Sequence, residues 1–319
     1  IAPPGTVLKT SSGKIRRAAS RELYEKNRIG QTKKAVWLQI AGIILAGFIP
    51  QVRRIGRRTT DTLYAAFCWV MFGLLSPLVW LLVVILPQQR WRWQVTRFAA
   101  KLLALLTRTR LTVQGIENIP TERPVVIASN HMSYLDAYVL QAILPIPCSF
   151  IAKAELAKKP LVNLPLSRLG AIPVERFDPK KVLEDARMIA KLAAEGRSLL
   201  FFPEGTFQRM PGLLPFRMGA FLTSVQSGIP VVPVTIRGTR NKLRSGSWFP
   251  RKGSISVIVG KPIMPSGEDW QAALGIKDKV RREILSHLGE PDLAGSHTTL
   301  SDMDTARSEN LTMKDKPEK

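Results

Sequence analysis

The sequence predicts an α/β fold, a layered and mostly parallel sheet with flanking helices, preceded by an N-terminal membrane-embedded helical region. Short apolar segments alternate with helical patterns between residues 111 and 260, which is typical of helices packed on a parallel sheet. Ahead of them, residues 62–87 contain no charged residue and are long enough to cross the hydrocarbon core of a bilayer. A length of 319 residues is enough for one to two domains with a sizeable core.

Six apolar segments have the length and composition of strands: residues 125–128, 148–152, 171–174, 198–202, 231–236 and 255–259. Helical patterns cover residues 180–194, 216–226 and 268–288. Gly196 and Gly228 follow the first two helical patterns, and glycine commonly ends a helix. The expected regions are a basic arm or domain remnant over 1–32, membrane-embedded and interfacial helices over 33–110, the main domain over 111–288, and a disordered polar tail over 289–319.

The chain carries 47 Lys and Arg against 24 Asp and Glu, a formal net charge of +23, which calls for an anionic partner. The basic residues flank long apolar runs and form no nucleic-acid recognition motif, so an anionic membrane is favoured over nucleic acid. The first apolar run, 35–50, is shorter than a spanning helix. Pro77 lies within the second run and leaves a re-entrant hairpin open. We expect a membrane-embedded helical pair with both ends on the cytoplasmic side.

Residues 90–108 have the pattern of an amphipathic helix. Its basic line consists of Arg90, Arg97, Lys101 and Arg108. Its apolar face consists of Trp91, Val95, Phe98, Leu102 and Leu105. A basic line beside an apolar face that contains tryptophan is typical of a helix lying on anionic lipid. The alternative is an ordinary amphipathic helix that covers the core.

Near the start of the chain, Leu8-Lys9-Thr10-Ser11-Ser12-Gly13-Lys14-Ile15-Arg16-Arg17 resembles the closing motif of adenylate-forming enzymes such as acyl-CoA synthetases and fatty acyl-AMP ligases. The resemblance implies that Lys14 matches a lysine that contacts the substrate carboxylate and phosphate during adenylation. It covers about thirty residues and confers no activity by itself. We expect the natural protein to be longer, with an acyl-activating domain upstream; the alternative is a flexible basic arm.

The sequence Asn-His-Met-Ser-Tyr-Leu-Asp at 130–136 indicates acid–base chemistry. His131 and Asp136 are five positions apart, a spacing that does not place two side chains on one helical face. The two can meet only where the chain turns sharply between a strand and a helix. Asp136 would then hold one ring nitrogen and leave the other free as a base. The alternative is a loop histidine that is satisfied locally.

Three further blocks follow in order, residues 170–176, 202–206 and 231–236. Together with 130–136 they resemble the four motifs of the glycerolipid acyltransferase family, which includes the 1-acylglycerol-3-phosphate acyltransferases. One departure is Pro173, where many members carry an aromatic residue. The resemblance covers roughly residues 110–260 and implies that 111–288 is an acyltransferase domain.

The resemblance implies transfer of an acyl group from acyl-CoA or acyl carrier protein to the free hydroxyl of lysophosphatidic acid, giving phosphatidic acid. His131 of the His-x4-Asp motif would be the general base and Asp136 would orient it. A thioester is already activated, so neither a cofactor nor a metal is required. Ser129 and Ser133 leave an acyl-serine route open.

Four further residues are candidates for substrate binding. Arg176 would clamp the acceptor phosphate, since a guanidinium group matches phosphate oxygens. The resemblance implies that Glu204 and Gly205 help to bind glycerol phosphate, and Lys153, which ends a predicted strand, is a second phosphate candidate. The alternatives are a surface arginine that ends a strand and a glutamate that caps a helix.

Other functions remain open. One is acylation of another lysophospholipid, such as lysophosphatidylethanolamine. Another is a non-catalytic membrane lipid-binding module, which the presence of both His131 and Asp136 disfavours. A basic scaffold would explain the charge but not the four ordered blocks. We expect a membrane enzyme whose active site lies on the cytoplasmic face, with a thioester donor, a lysophospholipid acceptor and an anionic membrane as partners.

Overall fold

The computed structural model describes residues 7, 10, 12–26, 32–174 and 179–295. The chain forms two compact units, Ile1–Leu63 and Tyr64–Lys319. Most of the predicted polar tail lies outside the described residues. So does part of the segment that resembles adenylate-forming enzymes, and that interpretation stays a prediction.

The helices are α1 (Arg17–Glu25), α2 (Thr32–Ile85), α3 (Gln89–Leu106), α4 (Leu135–Ile143), α5 (Ala154–Ala157), α6 (Pro160–Arg168), α7 (Pro179–Ala194), α8 (Gly219–Ser227), α9 (Thr239–Lys242) and α10 (Trp270–Leu288). The strands are β1 (Leu111–Gln114), β2 (Val126–Ser129), β3 (Ser149–Lys153), β4 (Ile172–Val174), β5 (Leu199–Phe201), β6 (Val231–Arg237) and β7 (Ile255–Val259).

In the described part of the chain these strands form one sheet in the order β1-β7-β6-β2-β5-β3-β4. The pairings are parallel except that of β6 with β7. The chain leaves β2 toward β3 on one side and leaves β5 toward β6 on the other. The strand order therefore reverses between β2 and β5, and ligands of open α/β sheets bind at the carboxyl ends of strands at such a point. The predicted α/β fold with a mostly parallel sheet is confirmed.

Helices cover both faces of the sheet, which explains why the central strands are apolar throughout. In β2, Val126 and Ala128 pack into a core cluster with residues of α7, α8 and α10. The residues between and before them, Val125 and Ile127, pack into a second cluster with Trp93 and residues of α4. Successive strand side chains point to opposite faces, so one strand contributes to both cores.

The six predicted strands all occur, each displaced by no more than about two residues. The sequence did not reveal β1, which has four residues and pairs with β7 alone. The predicted helix at 216–226 begins only at Gly219, because the Arg217 amide donates to Pro203 O and ties the chain to the preceding loop. Gly196 and Gly228 lie in the left-handed region with φ of 90° and 65°, as expected of residues that end helices.

The expected helical pair and the hairpin at Pro77 are wrong, because α2 runs continuously through both apolar runs. Proline removes one backbone hydrogen bond from a helix, and the apolar turns on each side continue past it. Within the described residues, Pro50–Ile85 is the one helical segment long and apolar enough to cross a membrane, and 18 consecutive residues of it have a mean hydropathy of 2.4.

The part of α2 within the second unit has two different sides. One side is joined to the rest of the unit by hydrogen bonds from Tyr64 Oη to Thr107 O (2.9 Å), Trp69 Nε1 to Trp248 O (2.8 Å) and Trp80 Nε1 to Leu161 O (2.8 Å). The bonded residues are spread over about 24 Å of helix. This side of α2 therefore lies along the rest of the second unit.

The other side of α2 exposes large apolar side chains three or four positions apart. We call it the outward stripe, and it consists of Phe67, Val70, Leu74, Leu78, Leu81 and Ile85. Each is between 43% and 67% exposed. A continuous exposed apolar surface of this kind is unfavourable in water and favourable against lipid. The stripe supports the predicted membrane association.

Helix α3 has a similar exposed line. Trp91, Phe98 and Leu105 recur at intervals of seven residues and are 45%, 67% and 73% exposed. Trp93, by contrast, is buried in the core. The interpretation of α3 as an interfacial helix stays a prediction, and this exposed line supports it.

We expect Leu74→Asp to weaken binding of the full chain to anionic vesicles by about tenfold or more, because a central aspartate costs roughly 2.5 to 3.5 kcal/mol on membrane-insertion scales. Leu74 is 67% exposed, so the fold should tolerate the change. The measurement is flotation of purified protein with vesicles. Met264→Asp, at a site 48% exposed outside α2, is the matched control. Equal binding of both variants would contradict a lipid-facing stripe.

Candidate active site

The segment after β2 is attached to the sheet through Asn130. This residue is fully buried, and its side-chain Nδ2 donates to Ile236 O (3.0 Å) while its Oδ1 accepts from Ile236 N (2.7 Å). Ile236 belongs to β6, which pairs with β2. This pair of hydrogen bonds replaces the strand pairing at the point where the chain leaves the sheet. It therefore fixes the position of the next residue, His131.

Asp136 closes the turn between β2 and α4. Its Oδ2 accepts from Met132 N (2.5 Å) and Ser133 N (2.8 Å) and lies 2.9 Å from His131 Nδ1. The turn brings together two residues whose spacing would keep them apart on a helix. With Nδ1–H held by Asp136, the neutral ring carries its free lone pair on Nε2. The His131 side chain is 18% exposed, whereas that of Asp136 is buried.

Glu204 holds the same turn from the neighbouring strand, since it follows β5, which pairs with β2. Its Oε1 accepts from His131 N (2.6 Å) and its Oε2 from Leu214 N (2.9 Å). The residue is 1% exposed, and burial raises the pKa of Glu204 to about 8, against the opposing effect of its two backbone donors. Both carboxyl oxygens of Glu204 thus accept from backbone amides, and Glu204 positions the His131 backbone.

Two aromatic rings enclose His131. Phe202 stacks on the imidazole, with ring centroids 4.1 Å apart and planes inclined by 19°. Phe207 meets it edge-on, with centroids 4.4 Å apart. Together with the bond to Asp136, these contacts fix the plane of the ring and exclude water from its faces.

The loop between β5 and α8 carries Phe207 and is held by two buried arginines. Arg240 donates to Gln208 O (2.6 Å) and Met210 O (2.5 Å) and pairs with Glu290. Arg281 of α10 donates to Leu214 O (2.6 Å) and also pairs with Asp292. The amide of Leu214 donates to Glu204. The contact of Arg281 therefore extends, through Leu214 and Glu204, to the turn that holds His131.

Gly205 has a φ of +73°, a conformation that favours glycine. A side chain there would also meet Arg217, because an added Cβ would come within 2.7 Å of its Nε. Arg217 therefore brings a guanidinium group to the block that contains Glu204 and Gly205. Sequence analysis did not identify Arg217, since it lies twelve positions after Gly205 and stands in no recognised motif.

Of the remaining candidates, Lys153 lies at the same edge of the sheet. Lys153 is the last residue of β3 and is paired in register with Val174, the last residue of β4. Arg176 lies outside the described residues, two positions after the end of β4. The substrate-binding roles of these residues, like those of Glu204 and Gly205, stay predictions.

Both candidate serines are fully buried. Ser129 Oγ donates to Asn130 O (3.1 Å) and Ser133 Oγ donates to Leu243 O (2.7 Å). A serine nucleophile needs its hydroxyl proton directed at a base, so these contacts do not favour an acyl-serine route. Within the described ranges, no group of three or more His, Cys, Asp and Glu side chains could hold a metal ion.

The structure also contains site residues that the motifs did not suggest: Asn130 as the anchor to β6, Phe202 and Phe207 as the walls around His131, and Arg240 and Arg281 as the supports of the loop. Most act through backbone atoms of residues distant in sequence. The one local signal was the pair of phenylalanines, Phe202 and Phe207, on either side of Glu204.

Comparison with known proteins agrees with this fold. A family model described as acyltransferase matches residues 110–237. A chloroplastic 1-acyl-sn-glycerol-3-phosphate acyltransferase of Brassica napus is 34% identical over 62% of this chain and 58% of its own length. An enzyme of the same name from Pseudomonas aeruginosa is 30% identical over 71% of this chain and 86% of its own. The crystal structure of PlsC, an acyltransferase from Thermotoga maritima, matches with a TM-score of 0.59 at 23% identity, covering 72% of this chain and 95% of that one.

The fold and the histidine–aspartate turn thus define a member of the acyltransferase class. The chain belongs to the family of 1-acylglycerol-3-phosphate acyltransferases, as the resemblance predicted. It spans 51% to 58% of the length of the first three curated relatives. The likeness to PlsC concerns the fold alone.

Glu204 gives this site a pH dependence. A carboxyl group with a pKa near 8 in the folded chain and near 4.5 when unfolded stabilises the fold fully only at low pH. We expect the melting temperature of wild type minus that of Glu204→Gln to fall as pH rises from 5 through 8, because the unfolded wild type ionises Glu204 over this range while the buried carboxyl keeps its proton. The measurement is thermal unfolding in detergent at fixed intervals of pH. A difference that grows with pH would mean that Glu204 is ionised in the fold.

Proposed function

We propose that this chain transfers an acyl group from a thioester to the free hydroxyl of lysophosphatidic acid, giving phosphatidic acid, with His131 as the general base. The observation that carries the proposal is the 2.9 Å contact between His131 Nδ1 and the buried Asp136, which leaves Nε2 as the basic nitrogen. The names of the relatives from Brassica napus and Pseudomonas aeruginosa support the acceptor.

The reaction needs one proton to move twice. His131 Nε2 takes the proton of the acceptor hydroxyl while the oxygen attacks the thioester carbonyl, and Asp136 stabilises the resulting imidazolium. The tetrahedral intermediate then expels the thiolate, which takes the proton from His131. The ester forms, the thioester breaks, and the base is restored. General-base help supplies about 10²- to 10⁴-fold, and positioning supplies much of the remainder.

The acceptor phosphate would be bound by cations at the edge of the sheet where the strands end. Arg176 offers the planar fork that suits phosphate, and Lys153 offers a second charge. Arg217 lies against Gly205 and brings a third cation to the block that the resemblance associates with glycerol phosphate. These groups favour a phosphate monoester, and a phosphodiester acceptor such as lysophosphatidylethanolamine would present less charge to them.

The membrane would deliver the acceptor. The outward stripe of α2 supports a site at the bilayer surface, and we propose that this surface is cytoplasmic because a thioester donor is made there. Acyl-CoA and acyl carrier protein both fit the chemistry. An assay with each donor separates them, and absence of transfer from both would favour the non-catalytic lipid-binding module.

We expect His131→Ala to lower kcat by about 10³-fold or more while fold and vesicle binding persist, because the base is lost and Asp136 remains. The assay uses the full chain in detergent, labelled donor and lysophosphatidic acid, with the product identified by mass. His287→Ala, a half-buried histidine on α10, is the matched control. Near-wild-type turnover of His131→Ala would remove the proposed base.

We expect Arg176→Ala to raise the KM for lysophosphatidic acid with little change in kcat, because the contact is to a phosphate remote from the reacting atoms. Steady-state kinetics with varied acceptor measures both constants. Arg197→Ala removes an equal charge from an exposed position and should leave KM unchanged. An unaltered KM in Arg176→Ala would exclude the clamp.

A further inference from the structure

Aromatic rings connect His131 to the membrane helix in an unbroken series of contacts. We call it the aromatic strip, and it consists of Phe207, Tyr134, Trp248, Trp69 and Phe72. Phe207 touches His131 at a centroid distance of 4.4 Å, and Tyr134 lies edge-on to Phe207 at 4.8 Å. Tyr134 and Trp248 are stacked with planes 8° apart, at 5.8 Å. Trp248 then contacts Trp69, which contacts Phe72 at 5.7 Å.

The middle of the strip is exposed although its rings are held in place. Trp248 is 68% exposed, Tyr134 50% and Trp69 38%. The Trp69 indole N–H donates to Trp248 O at 2.8 Å, which fixes the loop that carries Trp248 to α2. Large apolar rings arranged side by side and left uncovered usually mark a binding surface.

The two ends of the strip indicate what binds there. Trp69 and Phe72 belong to α2, on the turns that also carry Phe67, Val70 and Leu74 of the outward stripe. The opposite end is the proposed base itself. Trp69 lies on the side of α2 that bonds to the domain, so the strip begins beside the outward stripe and not within it. A surface that begins on the helix carrying this stripe and ends at the proposed catalytic imidazole fits a molecule that resides in the bilayer and reacts at His131.

The strip has little to offer a charged ligand. Its exposed rings present apolar faces, and the adjoining loop contributes Arg244, Arg251 and Lys252 rather than acids. Tryptophan with flanking basic residues is the composition found at membrane interfaces. A hydrocarbon chain would lie on the rings, and its headgroup would extend past His131 to the cations proposed above for the acceptor phosphate.

We propose that the aromatic strip binds the acyl chain of the membrane-resident lysophospholipid acceptor and guides its hydroxyl from the bilayer to His131. This rests on the proposed acyl transfer and names the route of one substrate. We assign the strip to the acceptor rather than to the donor. The acyl chain of the acceptor is inserted in the membrane, and the strip begins on the helix that carries the outward stripe. The acyl chain of the donor arrives on a water-soluble carrier.

The test compares two lysophosphatidic acids with the same headgroup, one with a hexadecanoyl and one with a hexanoyl chain, in mixed micelles with a fixed donor. The proteins are full-length wild type, Trp248→Ala, Trp248→Phe and Trp270→Ala. Trp270 begins α10, is 54% exposed and serves as the matched control. Trp248→Ala removes the exposed ring but keeps the backbone oxygen that Trp69 binds.

We expect Trp248→Ala to raise the KM for the long-chain acceptor about tenfold, with kcat within twofold of wild type, and to leave the KM for the short-chain acceptor unchanged. Trp248→Phe should restore most of the loss, and Trp270→Ala should behave as wild type. An equal change with both acceptors, no change with either, or a change confined to the KM of a long-chain donor would overturn the proposal.

A separate binding measurement distinguishes failure of the strip from failure of the proposed reaction. A long-chain lysophosphatidic acid brominated in its acyl chain should quench tryptophan emission of wild type more than that of Trp248→Phe. If wild type transfers nothing and this difference persists, the reaction is wrong and the strip stands. If wild type transfers acyl groups and quenching is equal, the strip is wrong and the reaction stands.

Discussion

Two buried carboxyl groups accept the backbone amides of residues 131–133, and the rest of the site depends on this interaction. Asp136 takes the amides of Met132 and Ser133, and Glu204 takes that of His131. Buried carboxylates are costly unless hydrogen-bonded, and buried amides are costly unless accepted, so each requirement satisfies the other. Because the two acids come from opposite sides of the β2–β5 reversal, the turn forms only when the sheet is assembled.

Support for the turn continues outward through the loop after β5. Leu214 donates its amide to Glu204 and its carbonyl accepts from Arg281, so α10 is linked to the amide of His131 through three hydrogen bonds. This arrangement explains how a helix near the end of the domain, far from the motifs in sequence, contributes to positioning His131. It also explains the burial of Arg281, whose guanidinium group is surrounded by acceptors.

Membrane association and chemistry meet in α2. One side of this helix bonds to the domain through Tyr64, Trp69 and Trp80, and the other presents the outward stripe. A helix used in this way joins an exposed apolar surface to the domain that contains His131. The aromatic strip leaves α2 at Trp69, so the same turn of helix serves both the domain contact and the proposed route of the acceptor.

The sequence by itself determined the α/β class, the central strands and the pairing of His131 with Asp136, because apolar periodicity and local motifs encode them. It did not reveal β1, whose four residues gain strand character only by pairing with β7. Glu204 was visible as a motif residue, but only the folded chain directed both its oxygens to backbone amides, one of them 73 residues away. Pro77 suggested a hairpin, yet α2 continues through it because packing along the domain outweighs one missing hydrogen bond. Local sequence patterns specify the helices and strands, whereas contacts between residues distant in sequence decide how the side chains of the site are positioned.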